Sequence, residues 1–159
     1  MLVKRQLGAE SDMHKLDLPP IWLGLCITLS YLFAKYFPIF CFKNNVSDFI
    51  AYFLIIIAMI IALWSVYFFA KNKTPIEPKK TPKKLIIQGP FKINRNPIYT
   101  SLLILYIGIA LKLGAISAFA PVIVFPMIIT KRFIIGEEKT LLAIFGEEGE
   151  QYIKKTRRW

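Results

Sequence analysis

Long apolar runs separated by charged segments dominate the pattern of this sequence. Residues 49–70 form 22 uncharged positions, which at about 1.5 Å per residue make a helix of roughly 33 Å, enough to cross a hydrocarbon core about 30 Å thick. An earlier run, residues 21–42, has a similar length and carries Lys35 and Pro38 near its far end, where a lysine side chain can reach the interface. The pattern predicts two membrane-spanning helices in the first half.

The apolar runs of the second half are shorter. Residues 98–111 are apolar over 14 positions, Lys112 interrupts, and residues 113–130 give 18 more. Two short helices joined near Lys112 as a tight hairpin fit this pattern best, and one long buried or re-entrant segment is the alternative. The region also contains small residues that let helices approach closely and prolines that bend a helix. These are Gly108, Gly114, Ala118, Pro121 and Pro126.

Residues 131–159 form a polar tail in which apolar side chains recur at helical spacing beside basic ones. Such a pattern predicts an amphipathic helix lying on the bilayer. The apolar positions are Leu141, Leu142, Phe145, Tyr152 and Ile153. The predicted fold is therefore an all-α integral membrane protein, a single membrane domain over residues 1–159. It has about four transmembrane helices, the last two a short hairpin, followed by a C-terminal amphipathic interfacial helix.

The distribution of charge predicts an orientation. Of 21 lysines and arginines, three lie in residues 1–19, eight in residues 71–97 and seven in residues 131–159. The positive-inside rule places these segments in the cytosol, so we expect a multi-pass protein with both termini cytosolic. The first 19 residues are too acidic for the charged region of a signal peptide, and the first span is expected to be retained.

Composition narrows the class of protein further. Apolar residues make up 55% of the chain and are gathered into runs, which excludes a water-soluble basic protein such as a nucleic-acid binder. One histidine and two cysteines provide neither a zinc cluster nor a disulfide framework, so no metal site is expected. No glycine-rich nucleotide motif is present, and the cytosolic pieces are far shorter than the roughly 100 residues of a typical domain. Any site must be built from helix ends, the loop 71–97 and the tail. The oligomeric state stays open.

The loop 71–97 contains two different segments. It opens with KNKTPIEPKKTPKK, whose prolines and lysines prevent a regular helix and hold charge against anionic lipid headgroups; a tether that sets the topology is the simplest interpretation. Further on, Asn96 and Pro97 predict a helix N-cap followed by proline at the first helical position. The free N–H groups of that helix, flanked by Arg95 and Tyr99, suit a carboxylate or phosphate. The alternative is that Arg95 only reaches a lipid phosphate.

Glu137 and Glu138 lie where the chain leaves the membrane. Acids in a first turn can simply complement the helix dipole. If the pair faces the helix that starts at Pro97, it can instead hold a ligand bearing both a cation and a carboxylate, such as a zwitterionic cofactor.

At these residues the sequence resembles the isoprenylcysteine carboxyl methyltransferase and phospholipid methyltransferase superfamily of small integral-membrane enzymes. The resemblance rests on GPFKINRNPIY (89–99), a short hydrophobic hairpin, and EEKTLLAIFGEEGEQYIKKTRRW (137–159). It covers roughly residues 83–159. It implies methyl transfer from S-adenosylmethionine in a cytosol-facing pocket closed by the tail, to a lipidic or prenylated acceptor that enters from the bilayer.

The resemblance also implies particular residues. It places cofactor contacts on Lys83, Lys84, Leu85, Ile86, Phe91, Asn96, Pro97, Ile98, Tyr99, Glu137 and Glu138, to which the charge argument adds Arg95. In carboxyl-methylating members an arginine shortly before the acidic pair binds the acceptor; here Phe133 holds the matching position and Arg132 precedes it.

Two residues are predicted to act on the acceptor itself. Arg132 would position a carboxylate, and Glu138 would take the proton of an amine. Because the methyl group of a sulfonium is already activated, orientation supplies much of the rate and no metal is required. The leading hypothesis is isoprenylcysteine-type carboxyl O-methylation. The alternatives are phospholipid N-methylation and a non-catalytic, lipid-binding membrane adaptor.

Overall fold

The computed structural model describes residues 17–78 and 80–159, and within these ranges every regular element is helical. The α-helices are α1 Pro19–Tyr36, α2 Asn45–Lys71, α3 Pro97–Leu113, α4 Ala120–Ile129 and α5 Ile135–Lys155. Short 3₁₀ turns lie at Gly89–Lys92 and Ile116–Phe119, and a π-helical turn, Thr130–Ile134, joins α4 to α5. The all-α prediction is confirmed for the described residues, whereas most of the predicted cytosolic segment 1–19 lies outside them.

Helix α1 is shorter than the predicted span 21–42. It ends at Tyr36, and Phe37 has φ −133° and ψ 57°. Pro38 explains this end, because a proline disfavours helical angles at the residue before it. The residues that follow pair with the turn between α3 and α4, so they form a loop at that end of the bundle.

Helix α2 contains the predicted span 49–70 and has a well-defined start. The Asn44 side chain accepts from the Ser47 N–H and the Ser47 hydroxyl accepts from the Asn44 N–H, which is a complete capping box. Helices α2 and α3 form the most extensive helix contact. A Cβ at Gly108 would lie 3.0 Å from the Ala51 carbonyl oxygen, so Gly108 permits close approach to α2 rather than to the second arm of the hairpin.

The hairpin turns at Gly114, two residues after the predicted Lys112. Gly114 adopts φ 72°, the left-handed angle that glycine favours at the end of a helix. A side chain would also clash there, since a Cβ would lie 2.8 Å from Lys43 Cβ. Lys112 instead lies on α3 and pairs with Asp48 Oδ1 of α2 at 3.0 Å, which ties the two helices together at this end.

Two helices of the described chain are long and apolar enough to cross a bilayer. They are Asn45–Lys71 and the helical stretch Ile116–Lys155, while Pro97–Leu113 is apolar but shorter. Large apolar side chains cover the outer face of α2, an arrangement that lipid tolerates and water does not. Examples are Phe49, Phe53, Ile56, Met59, Ile60 and Leu63.

The core joins α1, α3 and the α4 arm. Tyr106 and Ser30 are fully buried there. The Tyr106 hydroxyl donates to the Cys26 carbonyl at 2.7 Å, and the Ser30 hydroxyl donates to the Ala118 carbonyl at 2.7 Å. Buried hydroxyls that are satisfied in this way fix the relative positions of three elements without leaving a polar group in an apolar medium.

Helix α5 does not form the single amphipathic helix that was predicted. Gly146 has φ 51° and ψ −125° and breaks it into two arms. The second arm turns back toward the loop, where the Tyr152 hydroxyl donates to the Phe91 carbonyl at 2.9 Å. Helical periodicity continues across the break, which is why the pattern alone indicated one helix.

Residues 156–159, which we call the C-terminal strap, continue from α5 over the start of α3. The Arg95 N–H donates to the Arg157 carbonyl at 3.0 Å and the Arg157 N–H to the Ile93 carbonyl at 3.3 Å. At the end of the strap, the Trp159 indole N–H donates to the Thr130 hydroxyl at 3.2 Å. The strap therefore closes the end of the bundle where α3 begins.

Candidate active site

A cavity of about 550 Å³ lies where α1 and α3 begin and α4 passes into α5. Its volume falls within the range of small-molecule sites. All but one of the residues predicted for the site line it. They are Lys84, Leu85, Ile86, Phe91, Arg95, Asn96, Pro97, Ile98, Tyr99, Arg132, Glu137 and Glu138. The exception is Lys83, which is exposed and lines a separate surface depression with Lys73 and Lys80.

The start of α3 forms one wall of this cavity. Asn96 occupies the N-cap position and Pro97 the first helical position, but the Asn96 side chain makes no capping bond. Its amide donates instead to the Arg158 carbonyl of the strap at 3.0 Å. The N–H groups of Ile98 and Tyr99 have no acceptor within the helix, as in any first turn. They leave α3 with donors and a positive dipole end beside the cavity.

Glu138 is held by two arginines. Its Oε1 accepts from Arg95 Nε and from Arg158 Nε, both at 2.9 Å, and its Oε2 accepts from the second terminal nitrogen of Arg158 at 2.6 Å. Burial raises the pKa of Glu138, but the hydrogen bonds and charges of both arginines outweigh burial and hold it below the usual glutamate range. Glu138 is thus an ion-paired carboxylate near neutral pH.

Arg95 is almost fully engaged within the protein. Its side chain is 9% exposed. Besides Glu138, it donates to the carbonyls of Ile153 and Thr156 at 3.0 and 2.5 Å. This arginine, predicted to bind the cofactor carboxylate, is placed where it fastens α5 and the strap to the start of α3.

Glu137 has different surroundings. The Tyr99 hydroxyl donates to its Oε1 at 2.5 Å. Burial raises the pKa of Glu137 and the neighbouring charge of Glu138 adds to this, while the hydrogen bond from Tyr99 offsets part of it. Within the described residues no cation forms an ion pair with Glu137, so it is the acid that offers the cavity an uncompensated carboxylate.

Arg132 lies on the π-helical turn at the edge of the cavity. Its Nε donates to Asp17 Oδ1 at 3.1 Å, and its guanidinium carbon lies 4.7 Å from the centre of the Trp22 ring. Sequence reasoning did not select Asp17, Trp22 or Arg158. For Arg158 the signal was available, since it is a cation in the same motif as an acid that needs a partner; Asp17 and Trp22 lie more than 100 positions from Arg132 and carried no such signal.

Comparison with known proteins identifies the class. The family described as phospholipid methyltransferase matches residues 46–148, more than half of the chain. The chain belongs to this family, which confirms the superfamily that its motifs resemble. It is also similar to a protein of Haemophilus influenzae described only as uncharacterized. The two are 39% identical over 62 residues, which cover 39% of this chain and 98% of that relative. No solved structure matches the chain.

Proposed function

We propose that the chain transfers a methyl group from S-adenosylmethionine to an amphiphilic acceptor that reaches the cavity from the bilayer. The observation that carries this proposal is the Glu137–Tyr99 pair, set beside the open N-terminus of α3 in a cavity of suitable size. The family membership supports methyl transfer as the reaction.

The groups around the cavity suit this cofactor. S-adenosylmethionine carries an amino-acid carboxylate, an ammonium and a sulfonium. The N–H groups of Ile98 and Tyr99 suit the carboxylate, and Glu137 suits the ammonium. The ring of Phe91 lines the cavity and offers a face to a cation. Arg95 and Glu138, both predicted as contacts, would act by keeping the start of α3 and the strap in place.

The cofactor supplies a methyl group already activated on sulfur. The residues of this chain then have to orient the acceptor and exclude water, because alignment provides much of the rate in such a displacement. Leu85 and Ile86 of the loop are buried and line the cavity, so they help to exclude water from it. For an amine acceptor, Glu137 is better placed than Glu138 to take a proton, since no arginine holds it.

Two features of the site bear on the acceptor class, and they favour different acceptors. Arg132 pairs with a carboxylate at the cavity edge, which favours an acceptor bearing an oxyanion, as in isoprenylcysteine-type carboxyl O-methylation. The raised pKa of Glu137 favours the alternative, N-methylation of a phospholipid amine. Carboxyl methylation remains our leading proposal.

We further propose that the cavity opens on the cytosolic side of the membrane. The structure brings Asp17, the loop after α2 and the strap to one end of the bundle. The sequence places 18 of 21 basic residues in residues 1–19, 71–97 and 131–159, the segments to which these parts belong. By the positive-inside rule both termini are then cytosolic. Anionic headgroups would border the exposed lysines of the loop.

Binding and transfer of methyl groups by the purified chain test this proposal. In non-ionic detergent, we expect S-adenosylmethionine to bind and Glu137→Gln to weaken that binding about tenfold, the effect of losing one charge-assisted hydrogen bond. Glu147→Gln, an exposed acid in the same helix, is the matched control and should bind like the parent.

The product identifies the acceptor. Incubation with total membrane lipid and labelled cofactor, followed by mass spectrometry, should yield a methyl ester for a carboxylate acceptor or an N-methyl amine for a phospholipid. If the chain neither binds the cofactor nor labels any lipid, the proposal is wrong.

A non-catalytic adaptor is the second candidate. Lys80, Lys83 and Lys84 are all exposed, as a segment that binds anionic lipid requires. On this hypothesis, replacing the three lysines with glutamine abolishes binding to vesicles containing phosphatidylserine, and Glu137→Gln has no functional effect. Labelled lipid from the parent chain would exclude it.

A further inference from the structure

Two N–H donors from distant elements converge on one oxygen atom at the edge of the cavity. Trp22 Nε1, in the first turn of α1, donates to Asp17 Oδ1 at 3.0 Å. Arg132 Nε, on the π-helical turn, donates to the same oxygen at 3.1 Å. The guanidinium also lies over the Trp22 ring at 4.7 Å, which fixes the relative position of the two donors. Together they form a two-donor site for an oxyanion.

This site lies at the boundary between the cavity and its surroundings. Arg132 lines the cavity together with Leu18 and Pro19, which adjoin Asp17 in the chain. The Asp17 side chain is 13% exposed, whereas that of Arg132 is 48% exposed. The guanidinium of Arg132 is therefore accessible from outside while it is paired with the Asp17 carboxylate.

We infer that Asp17 is an internal carboxylate which occupies the two donors, Arg132 and Trp22, until an anionic acceptor displaces it. The inference rests on the proposed function, because it identifies the bound amphiphile as the methyl acceptor. The ligand chemistry is an amphiphile whose headgroup presents a phosphate or a carboxylate. Both groups offer oxygens to two converging N–H donors and a positive charge.

The energetics favour such an exchange. Arg132 is about half exposed, which lowers the contribution of its ion pair with Asp17 to stability. Displacement of Asp17 also releases its hydrogen bond from Trp22. An incoming oxyanion recovers the same two hydrogen bonds and adds the burial of its apolar chain in the cavity. An uncharged amphiphile gains only the second contribution and leaves Asp17 in place. The two donors therefore select for anionic acceptors, and Asp17, as a competitor for the same donors, lowers the affinity for them.

Binding of matched anionic and neutral amphiphiles to the full chain tests this inference. The anionic probes are dihexanoyl phosphatidic acid and N-acetyl-S-farnesylcysteine; the neutral ones are dihexanoylglycerol and the farnesylcysteine methyl ester. Titration calorimetry in non-ionic detergent gives each dissociation constant. We expect Asp17→Asn to tighten binding of the anionic probe by about three- to tenfold and to leave the neutral probe unchanged. The anion that responds more strongly shows whether phosphate or carboxylate is the preferred headgroup.

Two further variants test the N–H donors of Trp22 and Arg132 separately from the packing of the aromatic ring. Trp22→Phe keeps an aromatic ring under Arg132 and removes the N–H, so it should weaken only the anionic probe, by about threefold or more. Arg132→Gln should weaken the anion about tenfold. In the double variant Asp17→Asn with Arg132→Gln, the gain from Asp17→Asn should disappear, because the inference makes that gain depend on the arginine.

Glu150→Gln is the matched control, since Glu150 is an exposed acid paired with Lys154 far from the cavity. If Asp17→Asn weakens anion binding or leaves it unchanged, Asp17 does not compete for the site and the inference is overturned. These titrations contain no S-adenosylmethionine. The expected binding pattern without methyl transfer would therefore contradict the proposed function alone, whereas transfer without any response to Asp17→Asn would contradict this inference alone.

Discussion

Glu137 and Glu138 are consecutive residues on one turn of α5, yet their surroundings are opposite. Glu138 accepts hydrogen bonds from two arginines and has a lowered pKa, while Glu137 accepts one from a tyrosine and has a raised pKa. Glu138 belongs to the half of the site that fastens the strap, whereas Glu137 belongs to the half that we propose faces the ligand. Two identical residues in one motif thus have different partners, which spacing in the sequence cannot separate.

Glu138→Gln should give the largest effect, because it leaves Arg95 nearly buried without its anion. Removing one partner of a buried pair typically costs about 3–5 kcal/mol, and the partial exposure of Arg158 reduces this to about 2–4 kcal/mol here. We expect a lower melting temperature in detergent and faster tryptic cleavage after Lys154 and Lys155. Glu137→Gln, as the control, should leave cleavage unchanged. Equal cleavage in both variants would remove the distinction between the two halves.

Gly146→Ala should affect only the half that fastens the strap. Alanine at φ 51° and ψ −125°, a sparsely populated conformation for a residue with a side chain, costs about 1–3 kcal/mol and favours straightening the helix. Tyr152 and the strap would then be pulled from the start of α3, with faster tryptic cleavage as the measurement. Gly136→Ala is the matched control, since Gly136 lies in the same helix with open space around its Cα. Gly136→Ala should leave the stability unchanged or raise it slightly. If both variants loosen the strap, the loss of the break at Gly146 is not the cause.

Stability as a function of pH should distinguish the two acids by sign. Glu137 binds protons more tightly in the folded state, so its contribution falls as pH rises from about 4.3, the ordinary glutamate value, through its raised pKa. Glu138 binds them less tightly, so its contribution is lost as pH falls from about 4.3 through its lowered pKa.

Each slope is below about 1.4 kcal/mol per pH unit. Melting temperatures measured across this range should lose the falling slope in Glu137→Gln and the rising slope in Glu138→Gln. A slope of the same sign for both residues would contradict their assignment to different halves.

Tyr99→Phe should give the smallest effect. The Tyr99 hydroxyl favours the charged form of Glu137, so its removal raises the pKa of Glu137 further. The affinity for S-adenosylmethionine should then rise with pH as it does in the parent chain, but the whole curve should be displaced to higher pH by less than about one pH unit. Calorimetric titration at several pH values measures this displacement, and Tyr67→Phe, an exposed tyrosine on α2, serves as the control. A downward displacement would mean that Tyr99 does not stabilise the carboxylate.

Much of the fold could be predicted from the sequence because it depends on local signals. The apolar run at 49–70 and the Asn96–Pro97 pair mark helices that the structure contains, and the short runs around Lys112 indicate a hairpin. The predictions that were wrong depend on the backbone conformation at single residues. Pro38 ends α1 early and Gly146 breaks α5, although the apolar pattern continues past both residues.

Most residues that line the cavity could be predicted from the sequence, but their hydrogen-bond partners could not. Glu137, Tyr99 and the start of α3 were selected by residue type and motif. The partners of Arg95 could not be predicted in this way, because Glu138 and the strap lie 43 or more positions further along the chain. Asn96 shows the same limit, since the strap carbonyl takes the amide that a local rule assigns to capping.

The helical stretch from Ile116 to the break at Gly146 carries an apolar arm and both site glutamates in one element. In a bilayer, a helix adjusts to changes in hydrocarbon thickness chiefly by tilting. We expect a tilt of α4 to be transmitted through the π-helical turn to Glu137, whereas Tyr99 lies on α3. Bilayer thickness is therefore expected to affect the hydrogen bond between that acid and its tyrosine.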